Sequence, residues 1–215
     1  MIFRRIGQLL AGLFLYGFAG AMMVRAAVGV DPWTVFAQGM SNVTGLSLGL
    51  LTVLIGVLVL LLWIPLKQRP GIGTVLNILL IGPALDFGLW VLVEPTEMWQ
   101  RVLLFGGGLL LLAVATGLYI GSRFGPGPRD GLMTGLHARF GVKIWIARTS
   151  VEVTVLLIGW LLGGDVWFGT LAFALLIGPL CDYTLPLFDV RARISRRSAS
   201  TPPIREHRAR RPDRR

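Results

Sequence analysis

Two apolar stretches of this chain carry the same interruption. Gly73-Thr74 leads through Leu79-Leu80-Ile81-Gly82-Pro83 to Asp86; ninety-six residues later Gly169-Thr170 leads through Leu175-Leu176-Ile177-Gly178-Pro179 to Asp182. Across residues 71–89 and 167–185, nine of nineteen positions are identical. The same offset pairs Gly29 with Gly125, Pro32 with Pro128, Gly39 with Gly135 and Gly45 with Gly141. The chain therefore reads as two copies of one plan, and any fold must satisfy both.

Both copies lie in runs that approach or exceed the roughly 20 apolar residues needed to cross a bilayer. Of the 215 residues 54% are hydrophobic and 15% charged, where soluble domains carry about 25% charged residues. The composition is that of a polytopic membrane protein, and 28 glycines suit close helix packing in lipid. The apolar run after Arg4-Arg5 has the build of a signal peptide, but five further apolar segments favour a retained first span. Spans are predicted over about 6–28, 46–66, 73–93, 102–122, 144–162 and 167–188. The third and sixth are expected to be broken at Gly82-Pro83 and Gly178-Pro179. Asp31-Pro32 and Pro128 mark the starts of two short helices, to about 41 and 140. About ten residues at ~1.5 Å each cannot span, so the first of these is interfacial or re-entrant, and its counterpart is read the same way.

Each copy thus contains three crossings, an odd number, and the second must sit upside down relative to the first. The predicted fold is all-α, with six transmembrane helices in two inverted three-helix repeats, 1–93 and 97–188, each with a short helix. Residues 189–215 carry ten arginines, from Arg191 to Arg215, against three acids, and form a polar tail expected to be disordered, cytoplasmic and attracted to anionic lipid headgroups. The basic loops then fall on one side with both termini, which the positive-inside rule makes cytoplasmic. Arg25 is the main exception. Trp33, Trp90, Trp99, Trp145 and Trp167 fall near span ends, as interfacial aromatics do.

Candidate site residues are the polar groups in these spans and loops. An Asp inside a span costs about 2.5–3.5 kcal/mol to insert, so Asp86 and Asp182 are candidate cation or proton sites, or else acceptors for backbone amides freed near each Gly-Pro. Arg148 and Glu152 share one helix face at i, i+4 and replace Thr52 and Gly56 of the first copy. They read equally as a substrate site or as a structural ion pair. Arg129-Asp130 lies at a Gly-rich helix start that suits an anion, although nothing there has P-loop spacing and capping of the short helix is the simpler reading. Asn77 can hydrogen-bond a neighbouring helix. A single Cys181 and two distant histidines, His137 and His207, supply no multi-Cys or His-rich metal set, and no cofactor or nucleic-acid motif is present. No Ser-His, His-Glu-x-x-His or paired-Asp pattern occurs in the spans, so an enzyme is not expected. Interrupted helices at matching positions of inverted repeats point to a transport site, here with Gly29, Pro32, Gly82, Pro83, Gly125, Pro128, Gly178 and Pro179 as hinge and loop positions. The alternative is a non-transporting scaffold or accessory factor that holds a protein partner.

Several of these elements together resemble the YczE/YyaS/YitT family of bacterial integral membrane proteins, the YczE branch in particular. They are Gly29-Val30-Asp31-Pro32-Trp33, Gly73-Thr74 with Asn77, Gly125-Pro126-Gly127-Pro128-Arg129-Asp130-Gly131, Arg148 with Glu152, and Gly163-Gly164 before Gly169-Thr170. The likeness covers about residues 6–188. It implies a bacterial inner-membrane protein without an established biochemical activity. Members of that branch are linked to production of lipopeptides and other secondary metabolites, which implies a supporting role.

Overall fold

The computed structural model describes residues 2–189, so the arginine tail expected beyond them lies outside the described residues. These residues form eight helices: α1 (Ile2–Ala26), α2 (Pro32–Thr44), α3 (Leu48–Leu61), α4 (Ile72–Val91), α5 (Met98–Gly121), α6 (Pro128–Phe140), α7 (Ile144–Leu161) and α8 (Phe168–Phe188). Helices α1, α4, α5, α7 and α8 are each long and apolar enough to cross a bilayer, and α2 with α3 makes a further candidate span bent by 114°.

The element boundaries keep the ninety-six-residue offset. Helices α2 and α6 begin at Pro32 and Pro128 and end at the left-handed caps Gly45 and Gly141, with φ of 71° and 68°. Proline is favoured at a helix start because the amide it lacks would have no intrahelical partner there. Gly29 and Gly125 share another positive φ, 114° and 122°.

Two expectations need correction. Helices α4 and α8 are each continuous through Gly82-Pro83 and Gly178-Pro179, so neither span is broken. A proline within a helix removes one ladder hydrogen bond, a loss that membrane helices tolerate when neighbours re-satisfy the freed groups. Gly82 instead lets α3 approach, since a Cβ there would lie 2.4 Å from the Gly49 carbonyl oxygen. The second predicted span is also shorter than expected. Helix α3 stops at Leu61, and the chain passes through tight turns, with Trp63 and Ile64 amides donating to Leu60 and Leu61 carbonyls. Pro65 disfavours helical geometry at Ile64 and offers no amide itself. At ~1.5 Å per residue the 14 residues of α3 fall short of the ~30 Å hydrocarbon layer.

Helices α1 and α5 form the centre. They cross on matched glycines, because a Cβ on Gly12 would meet the Tyr119 amide at 2.7 Å and one on Gly108 would meet the Met23 side chain at 2.9 Å. Helix α4 packs on α1 and α8 on α5, while α2 packs on α7 and α6 lies against α3 and α7. Bulk is exchanged between equivalent contacts. The Trp63 ring fills the space beside Gly131 and its indole donates to the Pro128 carbonyl at 3.0 Å. At the matching positions the large and small partners swap: Gly159 lies against the backbone of Val35 and Phe36.

The Gly-Thr pairs close the assembly. The Gly73 amide donates to the Phe124 carbonyl at 2.9 Å, and the Gly169 amide to the Val28 carbonyl at 2.7 Å. Each glycine loop thus docks on the start of a long helix from the other copy. A Cβ on Gly29 would lie 2.6 Å from the Thr170 amide nitrogen, which explains why a glycine stands there.

Candidate functional site

The docked loops bring the starts of α2 and α6 together in the protein interior. Asp31 caps α2 by accepting the Trp33 and Thr34 amides at 3.2 and 3.3 Å, and it also accepts the Thr34 hydroxyl. Its Oδ1 receives Arg129 Nη1 from α6 at 3.3 Å, and the Arg129 guanidinium lies 5.0 Å from the Trp33 ring centre. The next residue, Asp130, accepts the Tyr119 hydroxyl at 3.0 Å, and Tyr119 meets Tyr16 edge to face at 5.9 Å. An anion in the first turn of α6 also suits the positive end of that helix.

Beside this cluster is a cavity of about 260 Å³, walled by parts of both copies. Its polar lining includes Tyr16, Thr52, Asn77, Thr116 and Tyr119, with Asp31, Arg129, Asp130, Arg148, Glu152 and Asp182 as the charged groups. Arg148 Nε donates to Glu152 Oε1 at 3.0 Å, the i, i+4 pairing that the spacing predicts. Both side chains are substantially exposed.

The two aspartates of the repeat part company here. Asp86 is absent from the cavity wall. It accepts the Ser47 hydroxyl at 2.7 Å and the Gly49 amide at 2.7 Å, and so fastens α4 to the start of α3. The amide it receives therefore belongs to another helix rather than to backbone freed beside Pro83. Asp182 lines the cavity and makes no hydrogen bond or ion pair among the described residues. Helices α3 and α4 pack together; α7 and α8 do not pack in the same way. Helix α4 buries eight residues and α3 five, whereas α8 buries three and α7 two.

The structure places Asn77, Arg129, Asp130, Arg148, Glu152 and Asp182 around one cavity and Asp86 elsewhere. Gly29 and Gly125 shape the loops, and Pro32 and Pro128 open the short helices whose first turns reach the cavity. Trp33 departs from the interfacial role expected of it: it is 5% exposed and lines the cavity, while Trp90, Trp99, Trp145 and Trp167 are well exposed. Sequence reasoning also missed Tyr16, Tyr119 and the pairing of Asp31. The available signal was their lack of counterparts, since the repeat puts Leu112, Met23 and Gly127 at the matching positions. Arg25, the exception to the charge pattern, donates to the Leu89 carbonyl on α4.

Residues 3–186 match the model of a family described as a family of unknown function, DUF6198. An uncharacterized protein of Haemophilus influenzae is 39% identical over 85% of this chain and 84% of its own length. The uncharacterized membrane protein YczE of Bacillus subtilis is 29% identical over 90% of this chain and 94% of its own. The uncharacterized protein YyaS of the same organism is 24% identical over 83% and 90%. No solved structure matches. The chain belongs to the DUF6198 family and is a multi-pass bacterial membrane protein, similar to YczE and YyaS as its loops suggested.

Proposed function

We propose that this DUF6198-family membrane protein is a small secondary transporter, with its solute site in the cavity between two inverted repeats. The observation that carries this reading is the charged cavity at the place where α7 and α8 part while α3 and α4 stay fastened. Intramembrane charges that face a cavity rather than lipid mark substrate or ion pathways. Two copies of one plan, one closed and one open, are the arrangement that alternating access requires. The matched boundaries, matched φ angles and reciprocal loop docking support the repeat. With α2 and α3 taken as one bent span, each copy makes three crossings, and that odd number supports its inversion. Loop charge supports cytoplasmic termini in the bacterial cytoplasmic membrane. In this reading the protein catalyses no covalent chemistry.

Cys181 is a built-in reporter, since it lines the cavity next to Asp182. In intact cells and inverted vesicles, a small water-soluble thiol reagent is expected to label Cys181, and a Cys181→Ser control to remain unlabelled. Labelling that a transported solute slows supports the proposal. No labelling from either side, alongside normal labelling of a loop cysteine such as Thr96→Cys, means a dry centre. That result overturns transport in favour of a membrane scaffold or accessory factor.

A further inference from the structure

Four carboxylates line the cavity, and three have partners. Asp31 is taken by the α2 amides and Arg129, Asp130 by Tyr119, and Glu152 by Arg148. Asp182 has none among the described residues, although it lies at the position where Asp86 accepts two hydrogen bonds. The residues that would mirror Ser47 and Gly49 are Lys143 and Trp145 of α7, and that helix is not packed on α8. No cation among the described residues is placed to pair it. The formal count agrees: among the described residues two arginines and four carboxylates leave the cavity walls two charges negative.

The cavity, about 260 Å³, lies just below the ~300–1,000 Å³ typical of drug-sized ligands and fits a smaller solute.

We infer that the cavity binds a small protonated amine, whose ammonium sits at Asp182. This deepens the transporter reading and rests on its identification of the cavity as a solute site, but it concerns binding and is testable without flux.

The full-length protein is placed in lipid nanodiscs, and alkylation of Cys181 by a neutral maleimide is timed with ethanolamine, ethylamine, ethylene glycol or acetate present. Both amines are expected to slow alkylation several-fold, and ethylene glycol and acetate not at all. Asp182→Asn should abolish the protection by both. Glu97→Gln, in an outlying loop, should change neither. Because Asp182 has no partner to lose, its Asn variant should stay folded, with an unchanged unfolding temperature as the check. Equal protection by acetate, protection that survives Asp182→Asn, or no protection by either amine at the highest soluble concentration overturns the inference. Flux of the same amine into proteoliposomes is read separately: protection without flux leaves the binding site standing and overturns transport.

Discussion

In the first half of the chain Asp86 holds the Ser47 hydroxyl and the Gly49 amide, and Gly49 and Gly82 meet backbone to backbone. In the second half Asp182 holds neither equivalent, and a Cβ built on Gly178 would touch nothing within 4 Å. The two stretches share nine of nineteen residues, so the difference arises from what each helix faces. Helix α3 offers Ser47, Gly49, Thr52 and Gly56 along its line of approach; α7 offers Lys143, Trp145, Arg148 and Glu152 at the same positions. Small residues let two backbones close, whereas long charged side chains keep them apart and need a polar space. One copy of the motif is therefore a fastening and the other a wall of a cavity.

The sharpest way to break this comparison is to add a methyl group on each side. Gly82→Ala puts a Cβ 2.4 Å from the Gly49 carbonyl oxygen and is expected to cost toward ~3 kcal/mol, read by unfolding in mixed micelles. Gly178→Ala meets no neighbour and is expected to be neutral or to gain up to ~1 kcal/mol from helix propensity. Equal losses would mean that α8 is as closely packed as α4.

The carboxylates make the next test. Asp86→Ala strands the Gly49 amide and the Ser47 hydroxyl and is expected to cost about 2 kcal/mol by the same measurement. Asp182→Ala breaks no hydrogen bond and should stay within about 0.5 kcal/mol. A loss at Asp182 matching that at Asp86 would show that α7 and α8 are fastened too.

The smallest effect should be the same in both halves. Gly45 and Gly141 end α2 and α6 in left-handed geometry, each with open space around it. Alanine at either position is expected to cost about 1 kcal/mol from backbone strain alone. If the two values differ well beyond that scale, the short helices are not equivalent and the comparison must be redrawn around them.

Much of the frame was legible because local rules decide it. Proline at 32 and 128 starts a helix wherever the helix lies, and glycine at 45 and 141 ends one. The i, i+4 spacing of Arg148 and Glu152 needs only a helix to bring them within reach. The Gly-Pro steps misled because a proline signals lost hydrogen bonding in isolation, while a helix held by its neighbours continues through it.

The sequence by itself determined that this chain lives in a membrane, that it repeats one plan at a spacing of ninety-six residues, and where most helices begin. Those properties follow from apolar run length, from caps and from residue identity, all of which act within a few turns. Only the tertiary structure decided that Arg129 meets Asp31 from 98 positions away, that Trp33 turns inward, and that Asp86 is bound while Asp182 has no partner among the described residues. These depend on which helices cross and how closely, and so on the bulk of residues on both partners at once. A single stretch read alone carries one side of that contact.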